Sequence, residues 1–203
     1  MARYGKEHKQ RTRRRIVETS GRRLKTDGVT GSGIATLMAD AGLTNGAFSA
    51  HFASKDERVA SVVADQLGTQ REAIADLPPA SGAEQLVRAY LSVEHRDHPG
   101  DGCPSAALLN EIGRCDDTVR HVFTDGVLGV IDVIAARFEP GDPSSARVRV
   151  LAAFAGMVGT LQMARAVTDP QLSDDLLERG AQNALATLRD RSTEVTSADV
   201  PHR

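Results

Sequence analysis

The fold is decided by the stretch Gly42–Glu57, which reads GLTNGAFSAHFASKDE. Gly42 is a residue type that adopts a positive φ in a tight turn, and Thr44 follows where the cap of the next helix is expected. Phe48 and Phe52 are four residues apart and share one face of that helix, while the residues around them are small or polar. A helix that is anchored by two rings and slim on its outer face is typical of the element that helix-turn-helix proteins place in the major groove of DNA.

Helical patterns extend from this stretch in both directions. Ser54 and Glu57 have the spacing of a capping box and begin a helix that we expect to end near Ala75. Segments rich in proline and glycine at 78–82 and 140–143 interrupt the helical patterns, and no segment alternates as a β-strand does. The predicted helices are about nine: 7–27, a short segment capped by Ser32, the stretch above, 54–75, a segment through Leu91, one beginning at Pro104, 117–138, 144–167 and 173–190.

Charge is distributed unevenly along the chain. Residues 1–58 contain twelve lysines and arginines against six aspartates and glutamates, and ten of the twelve basic residues lie in the first twenty-five positions. The remainder is acidic, so the formal net charge of −2 conceals a basic amino-terminal end. This pattern indicates that the basic end faces a polyanion and that the acidic remainder does not.

Residues 11–58 resemble the DNA-binding domain of the TetR family of bacterial transcriptional regulators. The resemblance covers about a quarter of the chain, and its three-part spacing is more specific than a lone helix-turn-helix match. The matching residues are Arg15-Ile16-Val17, Leu24, Gly28, Ile34-Ala35, Ala41-Gly42-Leu43-Thr44, Gly46-Ala47-Phe48, His51-Phe52 and Ser54-Lys55-Asp56.

The resemblance implies an all-α fold in two parts. Residues 1–53 would form a three-helix helix-turn-helix domain, and residues 54–190 a helical effector-binding and dimerisation domain that the helix at about 54–75 connects to it. Residues 191–203 have little to bury and are expected to form a disordered tail.

The implied function is that of a ligand-responsive regulator, most readily a repressor released from a palindromic operator by a small apolar or mixed effector. The expected partners are double-stranded operator DNA, the effector and a second copy in a homodimer. No cofactor and no membrane partner are expected. The amino-terminus lacks an apolar segment, and the apolar run Val150–Ala164 is too short to span a bilayer, so a cytoplasmic protein is expected.

The candidate DNA contacts lie mainly on the polar face of the Gly42–Glu57 stretch. Small and polar side chains there allow the backbone to approach the groove, and contacts to bases and to phosphates have different consequences for specificity. The residues expected at base edges are Thr44, Asn45 and Ala47, and those expected at the DNA backbone are Ser32, Ser49, His51 and Lys55.

The last two predicted helices have features of a subunit interface. The first contains alanines and glycines that allow close approach of two backbones, and the second carries a broad apolar face. The alternative is that both helices are interior to one protomer. In the TetR family the corresponding helices pack against their symmetry mates, which favours a homodimer. The candidate interface residues are Ala152, Ala155, Gly156, Gly159, Met163, Leu177, Ala181 and Leu185.

The resemblance implies an effector pocket among the predicted helices five to eight, from the segment through Leu91 to the helix at 144–167. The chain has no tryptophan and two tyrosines, so aliphatic side chains dominate the expected lining. The candidate lining residues are Tyr90, Cys103, Leu108, Phe123, Val127, Phe154 and Val158.

Cys103 directly precedes Pro104 and is therefore expected at a helix start, where the helix dipole favours a thiolate. Two interpretations stay open: a thiol that senses oxidants or electrophiles, and a buried side chain that only packs. The segment from His95 to Cys103 also holds two histidines and two carboxylates, but its spacing is not that of a usual zinc site, so no metal is expected.

A small Cys/His enzyme is the competing class of function. Such an enzyme would assemble Cys103 with His95, His98 or His121. The sequence has no nucleophile elbow, no phosphate-binding glycine loop and no H-E-x-x-H pair. We therefore predict no catalytic residue.

Overall fold

All regular elements in the described part of the chain are helical. The computed structural model describes residues 2–78 and 81–190, so the predicted tail at 191–203 lies outside it. The prediction of an all-α fold is confirmed, and no helix within the described ranges has the length and apolarity to cross a membrane. The α-helices are α1 Ala2–Gly31, α2 Ile34–Asp40, α3 Phe48–His51, α4 Lys55–Ala75, α5 Ala83–Tyr90, α6 Val93–Asp97, α7 Pro104–Ile112, α8 Asp117–Phe138, α9 Pro143–Ala166 and α10 Pro170–Arg189.

The segment before Cys103 contains two short helical elements. They are α6 and a 3-10 turn at Pro99–Asp101, and neither is among the predicted helices. Helical periodicity does not detect elements of three to five residues, because they complete little more than one turn. Proline begins the 3-10 turn, a position that needs no amide donor.

One compact unit consists of Met1–Leu77 and Glu94–Val130. In it α1 packs against α4, against α7 and against the 3-10 turn at Pro99–Asp101. Three residues of α1 at helical spacing, Ile16, Ser20 and Leu24, are fully buried. Fully buried apolar side chains of the other helices include Leu37, Met38, Val59, Leu67 and Leu108.

The junction between α1 and α2 differs from the prediction. Gly28 interrupts the helix with φ 75° and ψ 170°, but one further helical turn follows to Gly31. Ser32 does not cap α2: Gly33 is the capping residue, and the Ser32 hydroxyl donates to the Gly28 carbonyl at 2.6 Å. A serine hydroxyl near a helix end commonly donates to the carbonyl four residues earlier, as Ser32 does here.

A second compact unit consists of Pro78–Val93 and Ile131–Arg203. Its main contact joins α9 to α10, and α5 packs on α10 with an ion pair between Arg88 and Glu178 at 2.9 Å. The two long helices begin slightly earlier than predicted, because Asp142 and Asp169 accept backbone amides of their first turns.

Candidate DNA interface and regulatory residues

The recognition segment, residues 42–52, has the amphipathic geometry that its sequence predicted. Gly42 adopts φ 66°, and a 3-10 turn at Asn45–Ala47 leads directly into α3. Phe48 and Phe52 are buried, and their ring centroids are 5.6 Å apart. The outer face of the segment is therefore free of large side chains and open to solvent.

The predicted contacts in this segment are mostly accessible. Asn45 and Ser49 are exposed, and Ala47 and His51 are half-buried. Thr44 is exposed in the extended capping position, but its side chain makes no capping hydrogen bond. Ser32 differs from the others, because only 3% of it is exposed and its hydroxyl points inward to Gly28.

Arg13 of α1 holds the end of α3 and the start of α4, a role that the sequence did not reveal. Its guanidinium donates to the His51 carbonyl, to Glu57 at 3.0 Å and to Ser61 Oγ at 2.9 Å. The same group lies 4.3 Å from the centroid of the Phe52 ring, a cation–π contact. Arg13 therefore fixes the recognition segment relative to α1, and no local motif marks it because its partners are 38 to 48 residues away.

The predicted capping box at the start of α4 is confirmed. Ser54 Oγ accepts the Glu57 amide at 3.0 Å, and Glu57 Oε2 accepts the Ala53 amide at 2.6 Å. The Ala53 amide and then Arg13 lower the pKa of Glu57, so its carboxylate is charged at neutral pH. Lys55 is the first residue of α4 and is exposed beside this cap.

His51 lies among cationic side chains. Its pKa is lowered first by burial and then by Lys9, Arg13 and His8, so its ring is mainly neutral at neutral pH. The amino-terminal half of α1 thus brings positive charge to the end of the recognition segment. This concentration of positive charge attracts polyanions to the surface.

Cys103 caps α7 as predicted, and only 6% of it is exposed. Its amide donates to His95 Nε2 at 2.9 Å, and Gln70 Nε2 donates to its sulfur at 3.5 Å. The Lys25 ammonium, which donates to the Gly102 carbonyl at 3.0 Å, adds positive charge nearby. Cys115 has the opposite surroundings, since burial and then Asp56, Asp116 and Glu111 raise the pKa of its thiol.

The candidate effector residues divide between the two units. Cys103, Leu108, Phe123 and Val127 belong to the first unit. Tyr90, Phe154 and Val158 belong to the second, where the Tyr90 and Phe154 rings meet edge to face with centroids 5.8 Å apart.

A groove of about 450 Å³ in the first unit is lined by other residues. It lies along α4 and the start of α8, and its lining combines small side chains with three hydroxyl groups and two carboxylates. The lining residues are Ser54, Glu57, Ala60, Ser61, Ala64, Asp116, Thr118 and Val122. No local pattern predicts this groove, because its walls come from segments more than fifty residues apart.

The candidate dimer residues also divide, in this case between exposed and buried positions. On α9, Ala152, Ala155, Gly156 and Met163 are exposed and Gly159 is half-buried. On α10, Leu177, Ala181 and Leu185 are buried within the single chain, in the unit where α10 packs on α9. The outer face of α9 is thus the part of the predicted interface that stays available to a second chain.

No protein-family model and no curated protein matches the sequence. Solved structures do match. NemR from E. coli in its reduced form has a TM-score of 0.68 at 18% identity, over 85% of this chain and 94% of that chain. A TetR-family regulator from Agrobacterium tumefaciens has a TM-score of 0.67 at 20% identity, over 86% and 98% of the two chains. RolR in complex with resorcinol has a TM-score of 0.51 at 16% identity, over 97% and 98%. The chain therefore has the fold of the TetR family of transcriptional regulators.

Proposed function

We propose that this protein is a DNA-binding transcriptional regulator that reads a palindromic operator as a homodimer. The observation that carries the proposal is the recognition segment, which presents small polar side chains outward while Phe48 and Phe52 anchor it and Arg13 fixes it to α1. The basic amino-terminal half of α1 beside it supplies the charge that phosphate groups attract.

The proposed contacts follow the accessible residues. Thr44, Asn45 and Ala47 would approach base edges, and Ser49, His51 and Lys55 would contact the DNA backbone. Ser32 is left out of this set, because its buried hydroxyl already has an acceptor in Gly28.

We further propose that a small apolar or mixed molecule regulates DNA binding. RolR, which has the same fold, was solved with resorcinol, which supports an effector of this general kind. In this proposal residues 1–53 bind DNA, and residues 54–190 bind the effector and form the dimer. The coupling is reciprocal, so operator DNA must weaken effector binding by the same factor by which the effector weakens DNA binding.

Lys55→Ala and Asn45→Ala test the two kinds of contact. Lys55→Ala should weaken operator and random DNA alike and flatten the dependence of log affinity on log salt by about one unit, since one phosphate contact is lost. Asn45→Ala should weaken operator binding by about 5- to 150-fold, with little effect on random DNA. The measurement is fluorescence anisotropy over a salt series, with an operator selected from random duplexes.

Arg189→Ala is the matched control, because it removes an exposed positive charge from α10, far along the chain from the recognition segment. It should change neither the affinity nor the slope. If Lys55→Ala behaves like this control, Lys55 does not contact phosphate. If the unmutated protein selects no sequence from random duplexes, the proposed function is wrong.

A second candidate function is regulation through oxidation or alkylation of Cys103. It is favoured by the position of the sulfur at the start of α7, the positive end of the helix dipole, with the Lys25 ammonium nearby. A modified thiol would be bulkier and more polar than the buried site accommodates, so modification would displace α7.

Alkylation rates distinguish the two cysteines. Cys103 should react faster than Cys115 near neutral pH, because the raised pKa of the Cys115 thiol lowers its fraction of reactive thiolate. The measurement is mass spectrometry of each site against pH, with operator affinity determined before and after treatment. Cys103→Ser should abolish the effect of alkylation on affinity, and Cys115→Ser should preserve it. Equal reactivity, or full affinity after modification of Cys103, would leave only a packing role for this residue.

A further inference from the structure

The segment that contains α7 is attached to the second half of α1 at several points. An ion pair joins Arg22 to Asp101, and Lys25 donates to the Gly102 carbonyl at 3.0 Å. Gly100 approaches α1 so closely that a Cβ at this position would lie 2.9 Å from Thr26 Oγ1. These contacts all lie within the first unit, and they precede a more specific contact at the far end of α7.

Glu111, near the end of α7, accepts hydrogen bonds from two backbone amides in the last turn of α1. Val29 N donates to Glu111 Oε2 at 2.7 Å, and Thr30 N lies 3.4 Å from Glu111 Oε1. Because Gly28 interrupts the helix, the amides that follow it begin a new helical turn and lack the usual acceptors four residues earlier. The Glu111 carboxylate therefore caps the start of this turn, although it lies 82 residues away from Val29 in the sequence.

Two properties of Gly28, its backbone conformation and its lack of a side chain, permit the contact with Glu111. Its φ of 75° is one that L-residues with side chains rarely adopt, and a Cβ here would lie 2.8 Å from Glu111 Oε2. The glycine therefore permits the change of direction and also leaves room for the carboxylate. A carboxylate that merely packed against α1 would need neither property.

We propose that Glu111 is a positioning residue that sets the direction of the Val29–Gly31 turn and, through it, the placement of α2 and the recognition segment. The turn continues to α2 through Ser32, whose hydroxyl bonds to the Gly28 carbonyl. A displacement of α7 therefore moves the acceptor of two amides at the entrance to the helix-turn-helix. The proposal rests on the proposed function, because the position of the recognition segment matters only when DNA is bound.

The test combines amide hydrogen exchange with DNA binding in the full-length protein. In Glu111→Ala, the Val29 and Thr30 amides should exchange about tenfold faster or more, while the Leu24 amide in the preceding part of α1 should be unchanged. Operator affinity should fall severalfold with an unchanged salt slope, because no phosphate contact is removed. Glu111→Gln keeps an acceptor oxygen and should restore part of both properties.

Glu84→Gln is the matched control, since it neutralises an exposed helical carboxylate that pairs only with Arg88 among the contacts described. It should change neither exchange at Val29 nor operator affinity. Unchanged exchange in Glu111→Ala would overturn the contact itself, whatever the DNA result. Faster exchange with unchanged operator affinity would overturn the positioning role and leave the proposed function intact, whereas an unmutated protein that binds no DNA would overturn the proposed function and with it this role.

Discussion

Replacing Gly156 with glutamate is expected to convert the proposed homodimer into monomers and to reduce operator affinity by about 10²- to 10⁴-fold. The reason is the outer face of α9, where Val148, Ala152, Gly156, Gly159 and Met163 form one stripe at helical spacing. Val148 is 71% exposed and Met163 is 56% exposed, so apolar side chains flank a flat centre of small residues. A monomer contacts one half-site only and loses the gain in affinity that comes from linking two binding modules.

The substitution separates the effect on the interface from an effect on folding. A Cβ at Gly156 would meet no atom within 4 Å, and glutamate has a higher helix propensity than glycine. The isolated protomer should therefore tolerate the change. A second copy packed on this face would instead bury the new carboxylate without a partner. The desolvation cost of that charge would exceed the binding free energy of a standard interface of about 800 Å² per protomer.

Gly68→Glu is the matched control, because Gly68 is also helical and a Cβ there also meets nothing within 4 Å. Light scattering at micromolar concentration should report dimers for the unmutated protein and for Gly68→Glu, and monomers for Gly156→Glu. Two results would show that α9 is not the interface: an unmutated protein that is monomeric at this concentration, or a Gly156→Glu variant that stays dimeric.

The parts of the molecule that the sequence predicted well are those with local causes. The positive φ of Gly42, the pairing of Phe48 with Phe52 and the capping of α4 by Ser54 each depend on residues within five positions of one another. The bounds of α8, Asp117–Phe138, were also predicted, because a segment rich in proline and glycine at 140–143 follows its last turn. Local spacing is sufficient for such features.

The features that were missed depend on distant parts of the chain or on competition between partners. Arg13 and Glu111 resemble ordinary surface charges in the sequence, and their roles appear only when segments 40 to 80 residues away are adjacent. Ser32 had the expected type for a helix cap, but Gly33 takes the capping position of α2 and the Ser32 hydroxyl donates to the Gly28 carbonyl. Leu177, Ala181 and Leu185, predicted as interface residues, are buried already within the single chain.

Arg58 of α4 is the strongest departure from what the sequence pattern predicts. Its side chain is 0% exposed, and its three nitrogens have no hydrogen-bond partner among the described residues. Burial lowers the pKa of Arg58, although a guanidinium remains charged near neutral pH. A signal was present, because Arg58 precedes the buried Val62 by one helical turn and so lies on the apolar face of α4.

Arg58→Met is expected to raise the free energy of unfolding by about 1–4 kcal/mol, which corresponds to a rise in melting temperature of about 2–15 °C. A buried charge without a carboxylate loses its hydration and gains no compensating contact, whereas methionine has a similar length, favours helices and adapts to irregular spaces. The measurement is thermal and urea unfolding of the full-length protein, with Arg114→Met as the control at an exposed arginine. That control should change the stability by less than about 0.5 kcal/mol.

The same variant tests why such an arginine is retained at the start of the helix that follows the recognition segment. Residues that destabilise the fold locally tend to occur where function requires a second conformation. In a variant with a stabilised α4, binding of an effector or modification of Cys103 should therefore change DNA affinity less. We therefore expect Arg58→Met to bind the operator at least as well as the unmutated protein and to be released from it less readily. A loss of stability in Arg58→Met would contradict this interpretation, because it would mean that the guanidinium has a stabilising partner in solution. Arg58 would then be a buried polar group whose hydrogen bonds are satisfied.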